Sequence, residues 1–314
     1  MILILTESFD QPAQNVASIL DTKFAEYKVI YGTDLLQKKF SVDITKNVIE
    51  FDNDVLDNIN IVWYRRWISS KFEFSNNPEE NIYLKSEFEE LSSNFMLNIP
   101  TKKWLNIPPY INPYPTKAKQ LKQAIEFGLN IPRTNISNNK ITLQEFYREN
   151  KENIITKSLY NPYTYYENDE LYCTYTTQVD DVDIQTQENL FFPSLFQNNI
   201  KKYIELRIFY FLGKFYSYAI FSSQNQQTSV DFRVYDHNYP NRLMKYELPK
   251  EIKKKLTNFM TTFNLHTGSI DMIIDEIGTF HFLEVNPQGQ FGGMLDLDLD
   301  IENDIATYLI ENNV

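Results

Sequence analysis

Two long β-rich runs, separated by only two residues, limit the folds that this chain can adopt. YIELRIFYFL at 203–212 and FYSYAIFSS at 215–223 flank a Gly-Lys dipeptide. Runs of this composition predict strands, and a two-residue connection predicts an antiparallel hairpin with a type II′ turn. GSIDMIID at 268–275 and FHFLEVN at 280–286 predict a second hairpin, with EIGT as its turn. The last third of the chain is therefore expected to form antiparallel sheet.

The first hundred residues follow a different pattern, in which short apolar runs alternate with helical periodicity. The apolar runs are MILIL, KVIYG and INIVWYRRW, and alternation of this kind is typical of an open α/β unit. IPPYINPYP at 107–115 then holds four of the 13 prolines, which disfavour helix and sheet interiors alike. Directly after it, TKAKQLKQAIEFG predicts a helix that stops at its final glycine. We therefore expect an α/β (α+β) protein with three domains, at 1–112, 113–196 and 197–314.

The composition narrows the range of partners. The formal net charge is −12, and the chain contains no block of Lys and Arg that could follow a phosphate backbone, so nucleic acid is not an expected partner. No segment approaches the roughly 20 apolar residues of a membrane span. MILILT lacks a basic leader, which favours a first strand over a signal peptide. The single cysteine, Cys173, excludes an internal disulfide, and the cytoplasm is the expected compartment.

The second hairpin carries acidic residues on what should be one face. If its loop is 276–279, then Asp275 faces Phe280 and Asp271 lies directly opposite Glu284. Like charges in this position destabilise a sheet by roughly 0.2 to 1 kcal/mol, so we expect a cation between them. Asn286 follows Glu284 by two residues and should share its face. Two carboxylates and an amide oxygen are hard ligands that suit Mg²⁺.

A purely structural alternative exists for this hairpin. Asp271 and Glu284 can lie on the solvent face of an ordinary two-layer sheet, with Ile270, Met272 and Ile274 pointing inward. The metal interpretation is favoured by the turn NPQGQFGG, which follows the strand and which a plain hairpin does not need.

A carboxylate in one strand, followed by E-x-N at the end of the next with Pro and Gly after it, resembles the metal-binding end of the ATP-grasp ligases. The resemblance implies a pre-ATP-grasp N-terminal domain, a central lid-like domain and a C-terminal antiparallel-sheet domain, with ATP and Mg²⁺ bound. It also implies roles for cations in order along the chain. The nucleotide would contact Lys117 and Lys157 and a backbone hinge formed by Gln197, Asn198, Asn199 and Ile200. Arg207 in ELR and Arg233 in DFR resemble the arginines that act on the phosphate and the activated acyl group. Each arginine alone could instead be a surface partner of Glu205 or Asp231.

The likeness is greater to one branch, the peptide-maturing ligases that make graspetides, including the microviridin-type and grasp-with-spasm systems. Its marks are VWYRRW at 62–67, K-x-x-Q-L-x-x-A followed by GLNIPRT, LFQ to ELRI, and EVNPQGQF. The resemblance implies an enzyme that activates Asp or Glu side chains of a ribosomal precursor peptide, with leader and core. These would then be joined to Thr/Ser hydroxyls or Lys amines, and a homodimer is also implied.

Two other functions fit the same fold. One is an ATP-grasp ligase that adds a free amino acid to a protein or small carboxylic acid, and the other is a non-catalytic peptide-binding module. Neither GxxxxGK[ST] nor GxGxxG occurs, which argues against P-loop and Rossmann sites.

Two adjacent arginines and three histidines lie outside these motifs. Arg65 and Arg66 are candidates for binding substrate, and cation–π stacking with Trp67 and Tyr64 is the structural alternative. The histidines show no ligand spacing and are expected to be structural or to lie on the surface; they are His237, His266 and His281.

Overall fold

The computed structural model describes residues 1–67, 73–160, 164–167, 170–222, 241–291 and 300–314. The chain forms two compact units. The first unit comprises Met1–Tyr114, Thr261–Gly268 and Pro287–Val314, and the second comprises Pro115–Met260 and Ser269–Asn286. The change of unit after Tyr114 falls inside the proline-rich stretch. The division into three domains stays a prediction.

A parallel sheet forms the centre of the first unit. Its elements are β1 (Ile2–Thr6), α1 (Gln11–Thr22), β2 (Tyr27–Tyr31), α2 (Asp34–Gln37), β3 (Phe40–Asp43), β4 (Val48–Phe51), β5 (Asp54–Val55), β6 (Ile61–Tyr64), α3 (Pro78–Leu97), β7 (Trp104–Leu105) and, at the end of the chain, α8 (Ile301–Glu311). The parallel strands lie in the order β2-β1-β6-β7, and β3, β4 and β5 form a small antiparallel sheet.

Burial explains the uninterrupted apolar character of the central strands. Every residue of β1 and of β6 is buried, as expected for parallel strands that are covered on both faces. Helix α3 begins at Pro78, after an N-cap at Asn77 whose side chain accepts hydrogen bonds from two backbone N–H groups. It contributes Phe95, which is fully buried and stacks on Trp67 at a centroid distance of 6.1 Å.

Between Pro115 and Asn286 the chain forms two antiparallel sheets and a two-stranded ribbon. The elements are α4 (Lys117–Glu126), β8 (Thr134–Asn139), α5 (Lys140–Glu149), β9 (Ile154–Lys157), β10 (Thr164–Glu167), β11 (Glu170–Cys173), β12 (Thr177–Val179), α6 (Asp181–Thr186), β13 (Leu190–Asn198), β14 (Lys202–Phe211), β15 (Lys214–Phe221), β16 (Arg242–Lys245), α7 (Lys250–Thr262), β17 (Thr267–Asp275) and β18 (Phe280–Asn286). One sheet has the order β12-β9-β13-β8, the other has the order β16-β15-β14-β17-β18, and β10 pairs with β11.

The two predicted hairpins and the helix after the prolines are confirmed, with one correction. Phe211 pairs with Lys214, so the two-residue loop is Leu212-Gly213 and not Gly213-Lys214. Both loop residues have positive φ, 45° and 90°, which is the pattern of a type I′ turn and not of the predicted type II′.

Of the helices in the part of the chain that the structure describes, none combines the length and the apolar character that crossing a membrane requires.

Candidate active site

The two carboxylates of the second hairpin lie opposite each other. Asp271 in β17 pairs with Glu284 in β18, and Ser269 pairs with Asn286. The predicted pairing of the carboxylates is therefore confirmed. The expected pairing of Asp275 with Phe280 is wrong, because the loop is one residue shorter than predicted: the backbone N–H of Asp275 donates to the carbonyl of Thr279 at 3.1 Å.

A β-bulge reconciles the short loop with the confirmed pairing. Met272 pairs with Phe282, whereas Asp271 pairs with Glu284, so Leu283 is the extra residue on its strand. In a regular strand Phe282 and Glu284 would share a face. Here Phe282 and Val285 are buried, while the side chain of Glu284 is 34% exposed. The bulge thus turns Glu284 away from the apolar face, a known use of bulges near functional sites.

Each carboxylate has a cation of its own. The Nζ of Lys117, the first residue of α4, lies 2.9 Å from Oε2 of Glu284 and donates to the carbonyl of Ser158, also at 2.9 Å. The guanidinium of Arg207 in β14 binds both carboxylate oxygens of Asp271. These four side chains are between 11% and 34% exposed. Two side-chain cations therefore offset the charge of the carboxylates, and a metal cation between them stays a prediction.

Tyr218 is a further polar residue beside Arg207 on this sheet. Tyr218 in β15 lies opposite Arg207 and hydrogen-bonds with it. The Asp271 carboxylate raises the pKa of the Arg207 guanidinium, and burial raises the pKa of the Tyr218 hydroxyl. The guanidinium therefore stays charged, and the phenol stays protonated, throughout the physiological range of pH.

A third, more deeply buried ion pair lies in the same sheet. Lys202 Nζ is 2.7 Å from Oε1 of Glu205, which also accepts a hydrogen bond from the Ser222 hydroxyl. Burial raises the pKa of the Glu205 carboxyl, and the Lys202 ammonium opposes that effect. Arg207 pairs with Asp271, and the surface alternative in which it pairs with Glu205 is wrong. Sequence reasoning missed the role of Lys202, because residues three apart in a regular strand point to opposite faces and their spacing does not indicate a pair.

The predicted adenine hinge spans the end of β13: Gln197 and Asn198 are its last two residues, and Asn199 and Ile200 follow it. Gln197 is fully buried, and its Nε2 donates to the Thr134 hydroxyl at 2.9 Å. Its Oε1 is buried without a hydrogen-bond partner among the described residues. Asn198 accepts from the backbone N–H of Arg133 at 2.6 Å, and the N–H of Asn199 donates to the Asn153 carbonyl at 3.0 Å.

The remaining hinge residue and the second predicted lysine lie beside this strand. Ile200 is half-buried after the end of β13. Lys157 is the last residue of β9, is also half-buried, and pairs with Leu195 of β13. The second unit therefore contains the predicted residues of the nucleotide and metal sites that the structure describes. Arg233 and the glycines at 292–293 lie outside the described residues, as does His237.

Arg65 is buried in the first unit, where it forms an ion pair. It is 4% exposed and binds the carboxylate of Asp10, which also accepts from the Thr6 hydroxyl at 3.0 Å. Its guanidinium lies 4.6 Å from the ring of Phe291 and 5.9 Å from that of Trp63. The cation–π partners expected from the sequence, Trp67 and Tyr64, are therefore not the observed ones. Arg66 is half-buried, and a substrate role for either arginine stays a prediction.

Few of the described side chains are placed to act as metal ligands. Within the described ranges, no group of three or more His, Cys, Asp and Glu side chains is placed to hold a metal ion. A metal at the hairpin would therefore rest on Asp271, Glu284 and the carboxamide of Asn286. His281 instead pairs with Asp275 at 2.9 Å, and His266 contacts the Trp104 carbonyl.

Comparison with known proteins identifies the fold. No protein-family model matches the chain, and no curated protein sequence matches it. Among solved structures, the macrocyclase MdnC bound with precursor peptide MdnA from Microcystis aeruginosa MRC has a TM-score of 0.85 and 27% identity, over 99% of both chains. A RiPP-associated ATP-grasp ligase of Chryseobacterium gregarium, in complex with ADP and a leader and core peptide, has a TM-score of 0.87 and 24% identity, over 99% of this chain and 96% of that one.

A third solved structure extends the comparison. The ATP-grasp ligase PsnB, complexed with minimal precursor, Mg and ADP, has a TM-score of 0.80 and 18% identity, over 100% of this chain and 97% of that one. The agreement spans nearly the whole chain in each case. The chain therefore has the ATP-grasp fold and is similar, over nearly its whole length, to ligases that act on ribosomal precursor peptides.

Proposed function

We propose that the protein is an ATP-dependent peptide macrocyclase. It activates Asp or Glu side chains of a ribosomal precursor peptide as acyl phosphates and joins them to Thr/Ser hydroxyls or Lys amines. The observation that carries this proposal is the paired set of Asp271, Glu284, Arg207 and Lys117 on one sheet and its covering helix. The similarity to MdnC, which is bound with its precursor peptide, supports the choice of substrate.

The hinge has a group that suits adenine. The Thr134 hydroxyl donates to the Pro132 carbonyl at 2.8 Å, so it accepts from the Gln197 amide, and this fixes Nε2 as the atom facing Thr134. Oε1 is left as a buried acceptor without a partner among the described residues. A buried acceptor of this kind costs stability unless a donor reaches it. The exocyclic amine of adenine is such a donor, which supports ATP as the nucleotide.

The hairpin has the oxygen donors that Mg²⁺ prefers. Asp271, Glu284 and Asn286 supply two carboxylates and a carboxamide and no softer ligand, which fits a hard divalent cation. When bound, Mg²⁺ neutralises charge on the phosphate oxygens. The carboxylates are partly exposed and are held by side-chain cations, so they can exchange those partners for a metal at lower cost than buried pairs.

The side-chain cations have distinct proposed roles. Lys117 and Lys157 contact the phosphates that are not transferred. Arg207 and Arg233 stabilise the negative charge that develops when the peptide carboxylate attacks the terminal phosphorus and ADP leaves. The hydroxyl or amine then attacks the acyl carbon, and phosphate leaves. The peptide therefore loses one water molecule per link, and one ATP becomes ADP and phosphate.

We place this reaction in the cytoplasm. The single cysteine, Cys173, is consistent with a reducing compartment, where disulfides rarely persist. The reaction also consumes ATP, which the cytoplasm supplies.

Mass spectrometry of the peptide product tests the proposed function. The purified protein is incubated with candidate precursor peptides encoded beside its gene, ATP and Mg²⁺. We expect peptide masses to fall by one water per link. A mass gain of one amino acid would instead select the ligase that adds a free amino acid. Unchanged masses for all neighbouring precursors would contradict the macrocyclase.

Variants of the carboxylates distinguish an enzyme from a binding module. Asp271→Asn and Glu284→Gln should each lower the rate of water loss by about 100-fold or more, because they remove charge that acts in the transition state. Glu276→Gln is a matched control, since Glu276 lies in the same hairpin but its carboxylate faces Lys201 at the loop. If the wild-type protein bound a precursor peptide without any water loss, and both site variants bound it equally well, the non-catalytic module would be favoured.

A further inference from the structure

One glutamine side chain holds the strand that carries Glu284 and Asn286. Gln120 in α4 is 6% exposed. Its Oε1 accepts from the backbone N–H of Val285 at 2.8 Å, and its Nε2 donates to the Val285 carbonyl at 3.1 Å. Nε2 also donates to the Pro115 carbonyl at 3.0 Å. The carboxamide therefore pairs with both backbone groups of Val285, as a neighbouring strand would.

The position of Val285 makes this contact important for the site. Val285 lies between Glu284 and Asn286, and β18 is the edge strand of its sheet. The outward backbone groups of an edge strand have no strand partner. On the inward side the bulge at Leu283 interrupts the ladder directly before Glu284. The two proposed oxygen ligands on β18 therefore depend on support from the outer side, and Gln120 supplies it.

The same helix contacts the site twice. Gln120 follows Lys117 by three residues, so the two side chains lie on one face of α4. Lys117 binds the carboxylate of Glu284, and Gln120 binds the backbone of the next residue. A rigid helix thus fixes both the charge partner and the backbone of the proposed metal ligand.

We propose that Gln120 is a positioning residue that sets Glu284 and Asn286 in place for Mg²⁺, so that the gain in nucleotide affinity produced by Mg²⁺ depends on it. This inference rests on the proposed function. Partners that orient metal ligands typically contribute 10- to 100-fold to metal affinity.

Calorimetric titration of ADP tests the inference without measuring turnover. The dissociation constant of ADP is measured with Mg²⁺ and with a chelator, and the ratio of the two gives the metal-dependent gain. Gln120→Met keeps the volume of the side chain but removes its hydrogen bonds. We expect the gain to fall by about tenfold, while the affinity measured with the chelator changes little. Gln123→Met is the matched control, because Gln123 lies in the same helix and its Nε2 donates to the exposed carboxylate of Glu126 at 2.6 Å.

A second variant protects the test against a folding defect. Gln120→Glu keeps the acceptor for the Val285 N–H but loses both donated bonds. Its added negative charge would by itself strengthen Mg²⁺ binding, so a fall in the gain can come only from lost positioning. Hydrogen exchange at the Val285 amide reports the loss of contact in Gln120→Met directly.

The outcomes separate the two proposals. A metal-dependent gain that stays within about twofold of the wild-type value in folded Gln120→Met, or does not fall in Gln120→Glu if the first variant is unfolded, would overturn the role of Gln120. A wild-type protein whose ADP affinity does not respond to Mg²⁺ would instead contradict the metal site of the proposed function.

Discussion

Three ion pairs on one sheet and its covering helix differ in how easily they can open. Lys202 and Glu205 are 7% and 11% exposed, whereas the side chains of the other two pairs reach 24% and 34%. Removing one partner of a buried pair leaves an uncompensated charge, and partly solvated groups tolerate that better. The Lys202–Glu205 pair is therefore expected to stabilise the fold and not to bind a ligand. The pairs at Asp271 and Glu284 are more exposed, as the proposed exchange with a metal requires.

Glu205→Gln tests the structural pair. It removes the carboxylate that neutralises Lys202, so we expect the free energy of unfolding to fall by about 3 kcal/mol. The double variant Lys202→Met/Glu205→Leu should recover most of that loss, because apolar residues of similar volume can replace a buried pair. Urea denaturation measures both.

An exposed pair next to it provides the control. Lys201 and Glu276 are 80% and 51% exposed, so Glu276→Gln should leave the urea midpoint nearly unchanged. If Glu205→Gln behaved like Glu276→Gln, the Lys202–Glu205 pair would not stabilise the fold.

At the level of elements, loop length and a bulge together decide which residues face each other. Sequence spacing alone predicted a longer loop in the β17–β18 hairpin. The true loop closes at Asp275 and Thr279, with Gly278 at a φ of 87°. The bulge then adds a residue to β18 and restores the pairing of the carboxylates. Two local departures from the expected register therefore cancel at the site.

Gly278→Ala measures the cost in stability of a side chain at the positive φ of this loop. A Cβ at Gly278 meets nothing within 4 Å, so only the positive φ opposes the side chain. We expect the free energy of unfolding to fall by about 1 kcal/mol. Gly278→Asn should cost less, because Asn tolerates positive φ better than Ala does. Equal losses for both variants, measured by urea denaturation, would show that φ is not the cause.

At the level of the whole molecule, the proposed sites fall in one of the two compact units. The described residues of the proposed nucleotide and metal sites belong to the second unit, and Asn286 is its last residue. The first unit has an extensive apolar core built on its parallel sheet, with Phe95 of α3 in contact with Trp67 and Phe51. Stability of the first unit and nucleotide binding by the second can therefore be tested separately.

Phe95→Ala addresses that division. Removing a fully buried aromatic ring should lower the free energy of unfolding of the first unit by about 3 to 5 kcal/mol. Hydrogen exchange in peptides from each unit would locate the loss. ADP affinity, measured well below the unfolding transition, should stay close to the wild-type value. Leu97→Ala is the control on the same helix, because Leu97 is 55% exposed. A large loss of ADP affinity in Phe95→Ala would contradict the division.

Local patterns account for what the sequence could predict. Apolar runs and turn residues placed both hairpins, because strand periodicity and turn chemistry act over a few residues. They also placed Asp271 opposite Glu284, although the route through the loop was wrong. The order of Lys and Arg along the chain indicated the family without showing any contact between them.

The choice of partners was decided by tertiary structure. Lys117 meets Glu284, and Gln120 meets Val285, across more than 160 residues of sequence. Arg207 in β14 binds Asp271 in the neighbouring strand β17 and not Glu205 in its own strand. Ion pairs and hydrogen bonds depend on distance in space, and packing sets that distance for segments far apart in the chain. The sequence alone therefore determined which chemical groups the site contains, and only the folded sheet and helix determined how they are paired.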